Sequence, residues 1–513
     1  MTAILRFFAS VFIAAACLGC SRRLAHLYQL ESYQLPGYFR SLRRAVPGIL
    51  IPGLSVALVS FLPSFLGVPL PACALLGAAA SFAFWRYEQK RKQKKPFVLT
   101  ERVRRFYLIH GMIALLLALF LSGTRVVLLL PAVEFLLLPL SSCFAGPIEK
   151  HIAGQFVNDA KRRLDARPDL IRIGITGSYG KTSTKFLLRD ILSVRWNVLA
   201  TPGSFNTTMG VTRVIREMLT GAHQVLIAEM GARHPGDIRE LAELVRPAVG
   251  ILTSIGPQHL DTFGTVENIA RTKNELIASL PDEGTAIFAR DGAFCEELYR
   301  ACPLKDKLLA GELIDASEIE VGPWGTRFLL TDRNTDEGIK CETKLLGKHA
   351  VDNLLLCAAA ARRLGLSMDE IGAGIARCQP VEHRLQLIPA GSITIIDDAF
   401  NSNPAGAKAA LDVILQFPGR RVIVTPGMVE LGAEEAKYNV AFGRQIASAC
   451  DLVILVGAKH TAPIAEGLLA EGFPEEKIVT VASFAEAQER MKEMLLPDDV
   501  VLYENDLPDN YEG

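Results

Sequence analysis

"GITGSYGKTS", residues 174–183, carries the Gly-Lys-Thr of a phosphate-binding loop without the usual spacing in front of it. The general pattern G-x-x-x-x-G-K-[ST] puts a glycine six residues before the lysine. At that place before Lys181 stands Ile175, and the glycines fall at Gly174, Gly177 and Gly180. The flanks give the loop its context. "LIRIGIT" (170–176) is a β-branched run that predicts a strand, and "KTSTKFLLRDILSV" (181–194) has apolar residues at helical spacing. In a strand, glycine turn and helix, backbone N–H groups and the helix N-terminus face phosphates. Lys181 then reaches the β- and γ-phosphates, and the Thr182 hydroxyl a Mg2+ ion. A glycine-rich turn of an ordinary α/β domain has the same local pattern, so the loop alone leaves both readings open.

Segments further along add chemistry. "QVLIAEMGA" (224–232) reads as a buried strand ending in Glu229, a carboxylate at a sheet edge where it can serve a metal. "VGILTSIGPQHLDTFGTVENIARTKNELI" (249–277) reads as strand, loop and helix, and carries His259 and Lys273. On its own Lys273 reads as a solvated helix lysine, flanked by Arg271 and Glu275. Near the C-terminus "RRVIVTPG", "DLVILVG" and "KIVTVA" alternate with helical patterns, which predicts a second parallel sheet.

The chain has 513 residues, 50% of them hydrophobic, enough for two or three domains. Its mean hydropathy of +0.25 is high for a soluble enzyme, and the apolar excess lies before residue 146. Formal net charge is zero, so nothing global points to nucleic acid. Ten cysteines are scattered; Cys17 and Cys20 form a C-x-x-C inside an apolar run, and the remainder of the pattern fits reduced, buried thiols.

Five apolar stretches, 4–20, 47–66, 68–85, 107–123 and 126–145, approach the roughly 20 residues that cross a bilayer. The first also resembles a signal peptide, with "CLGC" as a cleavage cue. Charge arbitrates. With the N-terminus outside, Arg22, Arg23, Arg40, Arg43 and Arg44, the basic run 85–105 and everything after 146 lie in the cytoplasm, which satisfies the positive-inside rule twice. The expectation is therefore five spans, with four plus a surface segment as the variant. Glu134 stands inside the last stretch, either as a functional intramembrane acid or as a packing position. The run 85–105 reads as a topology-setting loop, with anionic lipid binding as the alternative.

T-G-S-Y-G-K-T-S (176–183), A-E-M-G-A (228–232), I-G-P-Q-H-L-D (255–261) and A-R-T-K-N-E-L (270–276) together resemble the central domain of the Mur ligases. That family writes its loop T-G-x-x-G-K-[ST], which accounts for the spacing. "GKHAVDNLLLCAAA" (347–360), "VEHRLQLI" (381–388), "IIDDAFNSNPAGAKAAL" (395–411) and "VTPGMVELGAEEAKYNVAFG" (424–443) extend the resemblance to about residue 510, nearest the MurF branch.

Hydropathy puts transmembrane helices over 1–145, and the resemblance implies a central P-loop ATPase domain over 146–378 and a Rossmann-like C-terminal domain over 379–513. It implies amide-bond formation through an acyl phosphate, with ATP and two Mg2+ ions. Nucleotide contacts would come from Gly177, Ser178, Gly180, Lys181, Thr182 and Ser183, with His349 and Asn353 at the adenine and Arg384 and Asp398 from the last domain. Thr182 and Glu229 would hold one Mg2+ and His259 the other, supported by a carbamylated Lys273. Asn206, Asn401 and Asn403 would face substrate, with capping or turn-making as the plain reading of each.

Departures from the family pattern are Ala350 for the asparagine after the histidine, Asn439 for a histidine, and Thr207 for a second asparagine. Membrane helices also stand where MurF has its UDP-binding domain. The implied partners are a muropeptide-like carboxylate, an amino acid or dipeptide amine, membrane lipid and other cell-wall synthesis enzymes. The implied place is the cytoplasmic membrane, with the catalytic domains inside the cell. Competing readings are a Mur-like ligase for another acid and amine, of the polyglutamate, folate or cyanophycin type, and a non-catalytic nucleotide-binding membrane scaffold. A transporter with a fused ATPase fits the ligase-type last domain poorly. The amidating MurT branch carries a zinc-ribbon cysteine cluster that this sequence does not have.

Overall fold

The computed structural model describes residues 3–31, 33–44, 46–91, 96–400 and 402–506. Contacts divide the chain into two compact units at Gln155/Phe156, inside the helix Glu134–Asp165. The boundary expected at 145 from hydropathy thus falls within a continuous helix.

The first unit is helical. Ala3–Leu30 packs along Leu70–Lys90 and Glu101–Phe120 around Ala9, Ile13, Cys17, Cys73, Ala114 and Ala118. The first two approach closely where Gly19 faces Ser81, whose hydroxyl donates to the Ala16 carbonyl at 2.8 Å. A Cβ at Gly19 would collide with that side chain.

Among the described residues, three elements are long and apolar enough to cross a membrane: Ala3–Leu30, Glu101–Phe120 and Arg125–Asp165. Of the five expected spans, 4–20, 107–123 and 126–145 overlap these three. The stretch 47–66 gives only a shorter apolar helix, carrying Pro52 and passing into a 3-10 turn with Pro63. The stretch 68–85 lies in a helix whose last turns carry Arg86, Glu88 and Lys90. The stretch 126–145 starts as a 3-10 segment containing Pro131 before the helix from Glu134 begins.

In the second unit, six parallel strands form one sheet: β1 (Ile171–Thr176), β2 (Val198–Ala200), β3 (Val225–Glu229), β4 (Val249–Leu252), β5 (Thr285–Phe288) and β6 (Asp306–Leu309), in the order β2-β3-β1-β4-β5-β6. Alternate side chains feed opposite faces. Ile173, Ile175, Ile227 and Ile251 meet the helices Lys181–Leu192 and Lys348–Arg363, while Leu226, Ala228, Leu252 and Phe288 meet Asp237–Val245 and Val266–Ala278. Burial on both faces explains why these strands read as continuous apolar runs.

Three antiparallel strands follow, β7 (Ile314–Gly322), β8 (Gly325–Asp332) and β9 (Gly338–Thr343). The last sheet holds β10 (Gln386–Ala390), β11 (Ile393–Asp398), β12 (Arg421–Thr425), β13 (Leu452–Val456), β14 (Ile478–Val481) and β15 (Val500–Glu504), in the order β10-β11-β15-β12-β13-β14. Its pairings are parallel except for the β10–β11 hairpin. The strand order turns back around β1 in the first sheet, and ligands of open α/β sheets gather at the carboxyl ends of strands at such a point.

Candidate active site

Lys181 opens the helix Lys181–Leu192 directly after β1. Gly180 before it holds φ 79°, and a Cβ there would lie 2.7 Å from Asn353 Oδ1. Gly177 is equally confined, against Thr253. The loop is pinned from β4's side: the Ser178 N–H donates to the Ser254 carbonyl at 2.8 Å and its hydroxyl to the Gly256 carbonyl at 2.9 Å. Lys181 Nζ folds back onto the loop, donating to the Gly177 and Ser178 carbonyls at 2.6 and 2.8 Å. Burial pulls its pKa down to about 8 against the opposing pull of Glu229. Thr182 and Ser183 follow, half-buried in the first turn.

Glu229 ends β3, one strand away from the loop. The expected sheet edge is corrected: β3 lies between β2 and β1, and Glu229 sits at its carboxyl end. Its Oε2 accepts from Lys185 Nζ at 2.9 Å and its Oε1 from Asn206 Nδ2 at 3.0 Å. Burial raises the carboxyl's pKa, but Lys185 and Lys181 outweigh it and hold the net value below the usual range. Asn206 therefore faces the acid, and the capping falls to Thr207, whose hydroxyl accepts from the Gly210 N–H at 3.2 Å. Lys185 was missed at the sequence level. Its position four residues after Lys181 places both on one helix face, which was the available signal.

His259 follows β4, in a left-handed conformation (φ 51°) that caps the short helix Leu260–Phe263. Its Nδ1 lies 2.6 Å from Glu430 Oε2 of the C-terminal domain, and this bond leads the causes that hold the Glu430 carboxyl low. Glu430 too was missed; nothing in "MVELGAEE" marks it. Lys273 is 2% exposed on the inner face of Val266–Ala278, which replaces the reading of a solvated lysine. Burial, then the charge of Lys181, push its amine well below its ordinary pKa.

Arg384 reaches the same place from the C-terminal side. Burial lowers its pKa against the pull of Asp398, Glu229 and Glu504, so these groups share one electrostatic neighbourhood. Burial raises Asp398 to about 6. Asn353 Oδ1 accepts from the Thr184 hydroxyl at 3.2 Å, which puts it beneath the loop. Nearby, burial keeps His349 neutral, with its pKa lowered to about 4. Asn403 caps Pro404–Ile414, its Oδ1 accepting from the Gly406 N–H at 2.8 Å. Asn401 lies outside the described residues. The family's asparagine position holds Ala350, buried at 6% exposure. Asn439 is also buried, its amide clamped between the Met428 and Glu435 backbones.

Among the described residues no three His, Cys, Asp or Glu converge as a ready metal cage. Mg2+ keeps several waters and is held by one or two side chains together with substrate phosphates. A buried carboxylate and a threonine beside a glycine cradle fit that mode.

Comparison with known proteins agrees with this arrangement. Residues 175–361 match the Mur ligase middle domain and 383–503 the Mur ligase glutamate ligase domain. The UDP-N-acetylmuramoyl-tripeptide--D-alanyl-D-alanine ligase of Mycobacterium tuberculosis (strain ATCC 25618 / H37Rv) is 32% identical over 361 residues, which cover 64% of this chain and 69% of that one. The enzyme of the same name from Escherichia coli (strain K12) is 32% identical over 308 residues, 58% of this chain and 67% of that one. MurF from Acinetobacter baumannii superposes with a TM-score of 0.63 at 29% identity, covering 69% of this chain and 77% of that one. With loop, carboxylate, histidine and buried lysine gathered at the carboxyl ends of β1, β3 and β4, and with both family domains in order behind them, the chain belongs to the Mur ligase family.

Proposed function

We propose that this protein is an ATP-dependent, MurF-like ligase that joins D-alanyl-D-alanine to a muramoyl tripeptide, working at the cytoplasmic face of a membrane. The observation that carries the reading is that Lys181 of the phosphate loop shares an electrostatic neighbourhood with Glu229 and with Arg384 of the other domain, while His259 after β4 meets Glu430 of that domain. Two Mg2+ ions, when bound, would neutralise phosphate and carboxylate charge so that the anions can approach.

The protein's own groups divide the work. The loop's N–H groups and Lys181 orient the phosphates, and Lys181 exchanges its hold on the loop carbonyls for the nucleotide. Thr182 and Glu229 would hold the first ion and His259 the second. Arg384 and Asp398 complete the site when the C-terminal domain closes. Burial, which lowers the Lys273 pKa, favours the neutral amine that reacts with CO2, and the carbamate would support the second ion.

Membrane attachment is supported by an exposed apolar stripe on Glu101–Phe120: Leu108, Met112, Leu116 and Phe120 recur every fourth residue and face outward. A substrate carried on lipid suits an enzyme placed there. The test is turnover by the detergent-solubilised chain with the tripeptide linked either to UDP or to lipid, with Lys181→Ala as control. Preference for the lipid-linked acid supports presentation at the membrane. Use of the UDP-linked form alone removes that part and leaves the ligase.

A further inference from the structure

The helical unit holds a cleft that the ligase chemistry does not use. The helices Val46–Phe61 and Leu70–Lys90 run antiparallel, with Ser60 against Gly77 towards one end. At the other end Ile51 and Pro52 stand across from Phe84 and Tyr87. Arg23, from the helix Ala3–Leu30, and Arg91 complete a cleft of about 430 Å3 there. Glu88 also lines it, buried, and interacts with Arg23. Arg91 is near enough to Arg23 for the two guanidiniums to repel each other. One acid against two cations leaves the lining with net positive charge.

Neighbouring basic groups are turned to other partners. Arg22 stacks over Trp85 and Phe97, 4.7 and 5.1 Å from the ring centroids. Arg86 Nη1 donates to Gln89 Oε1 at 3.5 Å on the exposed side of its helix. Of the basic residues described around this helix end, Arg23 and Arg91 are those that line the cleft. An apolar face leads away from it: Ile51, Leu54 and Leu58 recur at helical spacing and are exposed. They cover about 10 Å of helix, less than the roughly 15 Å of hydrocarbon in one leaflet. Trp85 and Tyr87 beside basic side chains are the residue pattern of a helix end at a membrane–water interface.

Guanidiniums hold phosphate through charge-assisted, bidentate hydrogen bonds, and an anion between two of them removes their repulsion. An apolar face reaching away from such a place suits a ligand with a hydrocarbon tail. We infer that this cleft binds the phosphate of a membrane lipid between Arg23 and Arg91, with the lipid's hydrocarbon chain along Ile51, Leu54 and Leu58. The inference rests on the membrane attachment proposed above and is independent of the ligase chemistry. It gives the helical unit a means of selecting phosphate-bearing lipids from the bilayer around it.

The experiment is a binding titration of the full chain in neutral detergent with dioctanoyl phosphatidic acid, dioctanoylglycerol and inorganic phosphate. Wild type is compared with Arg91→Gln and with Arg86→Gln, which removes an equal charge outside the cleft. Arg91 is exposed and follows the last residue of its helix, so its replacement leaves the packing intact. The expected result is saturable binding of the phosphatidic acid alone, weakened at least about tenfold in Arg91→Gln and unchanged in Arg86→Gln. Equal weakening in both variants overturns the inference, because the attraction is then spread over the surface. So does binding of dioctanoylglycerol or inorganic phosphate as tight as that of the phosphatidic acid. A chain that stays in the aqueous phase when detergent is withdrawn removes the membrane attachment and this site with it. One that enters detergent without preferring the phosphate overturns the site alone.

Discussion

His259 and Glu430 meet at 2.6 Å, Nδ1 to Oε2, and both hold left-handed backbones, with φ 51° and 64°. Strain at two non-glycine residues persists only where the surroundings over-determine it, and it gathers at functional contacts. The bond joins the central and C-terminal domains and uses Nδ1, so Nε2 of His259 is the nitrogen that the metal role proposed above would require. A carboxylate that orients a ligating histidine is typically worth about 10–100-fold in metal affinity or activity. Glu430→Ala is therefore expected to raise the Mg2+ concentration for half-maximal turnover by about that factor. A fall in melting temperature with an unchanged Mg2+ requirement would make the contact purely structural.

Lys185 and Glu229 form a pair that is almost wholly buried. Burial lowers the Lys185 pKa despite the attraction of Glu229, so the pair is held at a desolvation cost that the fold offsets elsewhere. Breaking one side leaves a buried charge alone, at about 3–5 kcal/mol. Lys185→Met should lose stability of that order in urea unfolding, and Lys185→Met/Glu229→Gln should recover part of it. Additive losses would show the two residues to be uncoupled.

Lys273 gives a pH-dependent prediction. Its folded pKa lies well below the unfolded value of about 10.4. Between the two values the unfolded chain binds the extra proton, so this residue's contribution to stability improves as pH rises and is most unfavourable at lower pH. Lys273→Met is expected to melt above wild type in neutral, CO2-free buffer, with the difference vanishing above about pH 10.4, and to have lost ligase turnover. A variant that melts lower at neutral pH would mean that the amine is charged and paired.

In the helical unit, His110 binds Glu134 through Nε2 and the Ser141 hydroxyl through Nδ1, the latter at 2.7 Å, and all three are buried. The other Glu134 oxygen, Oε2, has no partner. His110→Ala strands the whole carboxyl, and its melting temperature in detergent should drop further than that of Glu134→Gln, which removes the acid. The reverse order would mean that the fold depends on the carboxylate charge itself.

The strand, turn and helix around Lys181 were legible because periodicity and glycine placement are local signals. Glu229 was read from its place at a strand end, whereas the roles expected of His259 and Arg384 came only from the order of family motifs, since each stands alone in its segment. Glu430 and Glu504 left no signal. One owes its place to a backbone conformation, the other to the register between β11 and β15, strands about 100 residues apart in sequence. Strands β7 to β9 escaped because their exposed residues blur the alternation. Pro52 and Pro63 lie in the stretch 47–66, where a shorter apolar helix passes into a 3-10 turn.

The most direct measurement is ADP release by the purified chain with muramoyl tripeptide and D-alanyl-D-alanine, each omitted in turn, alongside the mass of the product. The account predicts sustained release only with both present, one amide formed per ADP, and neither in Lys181→Ala. ADP release indifferent to the two substrates, or none with either form of the acid, would contradict it.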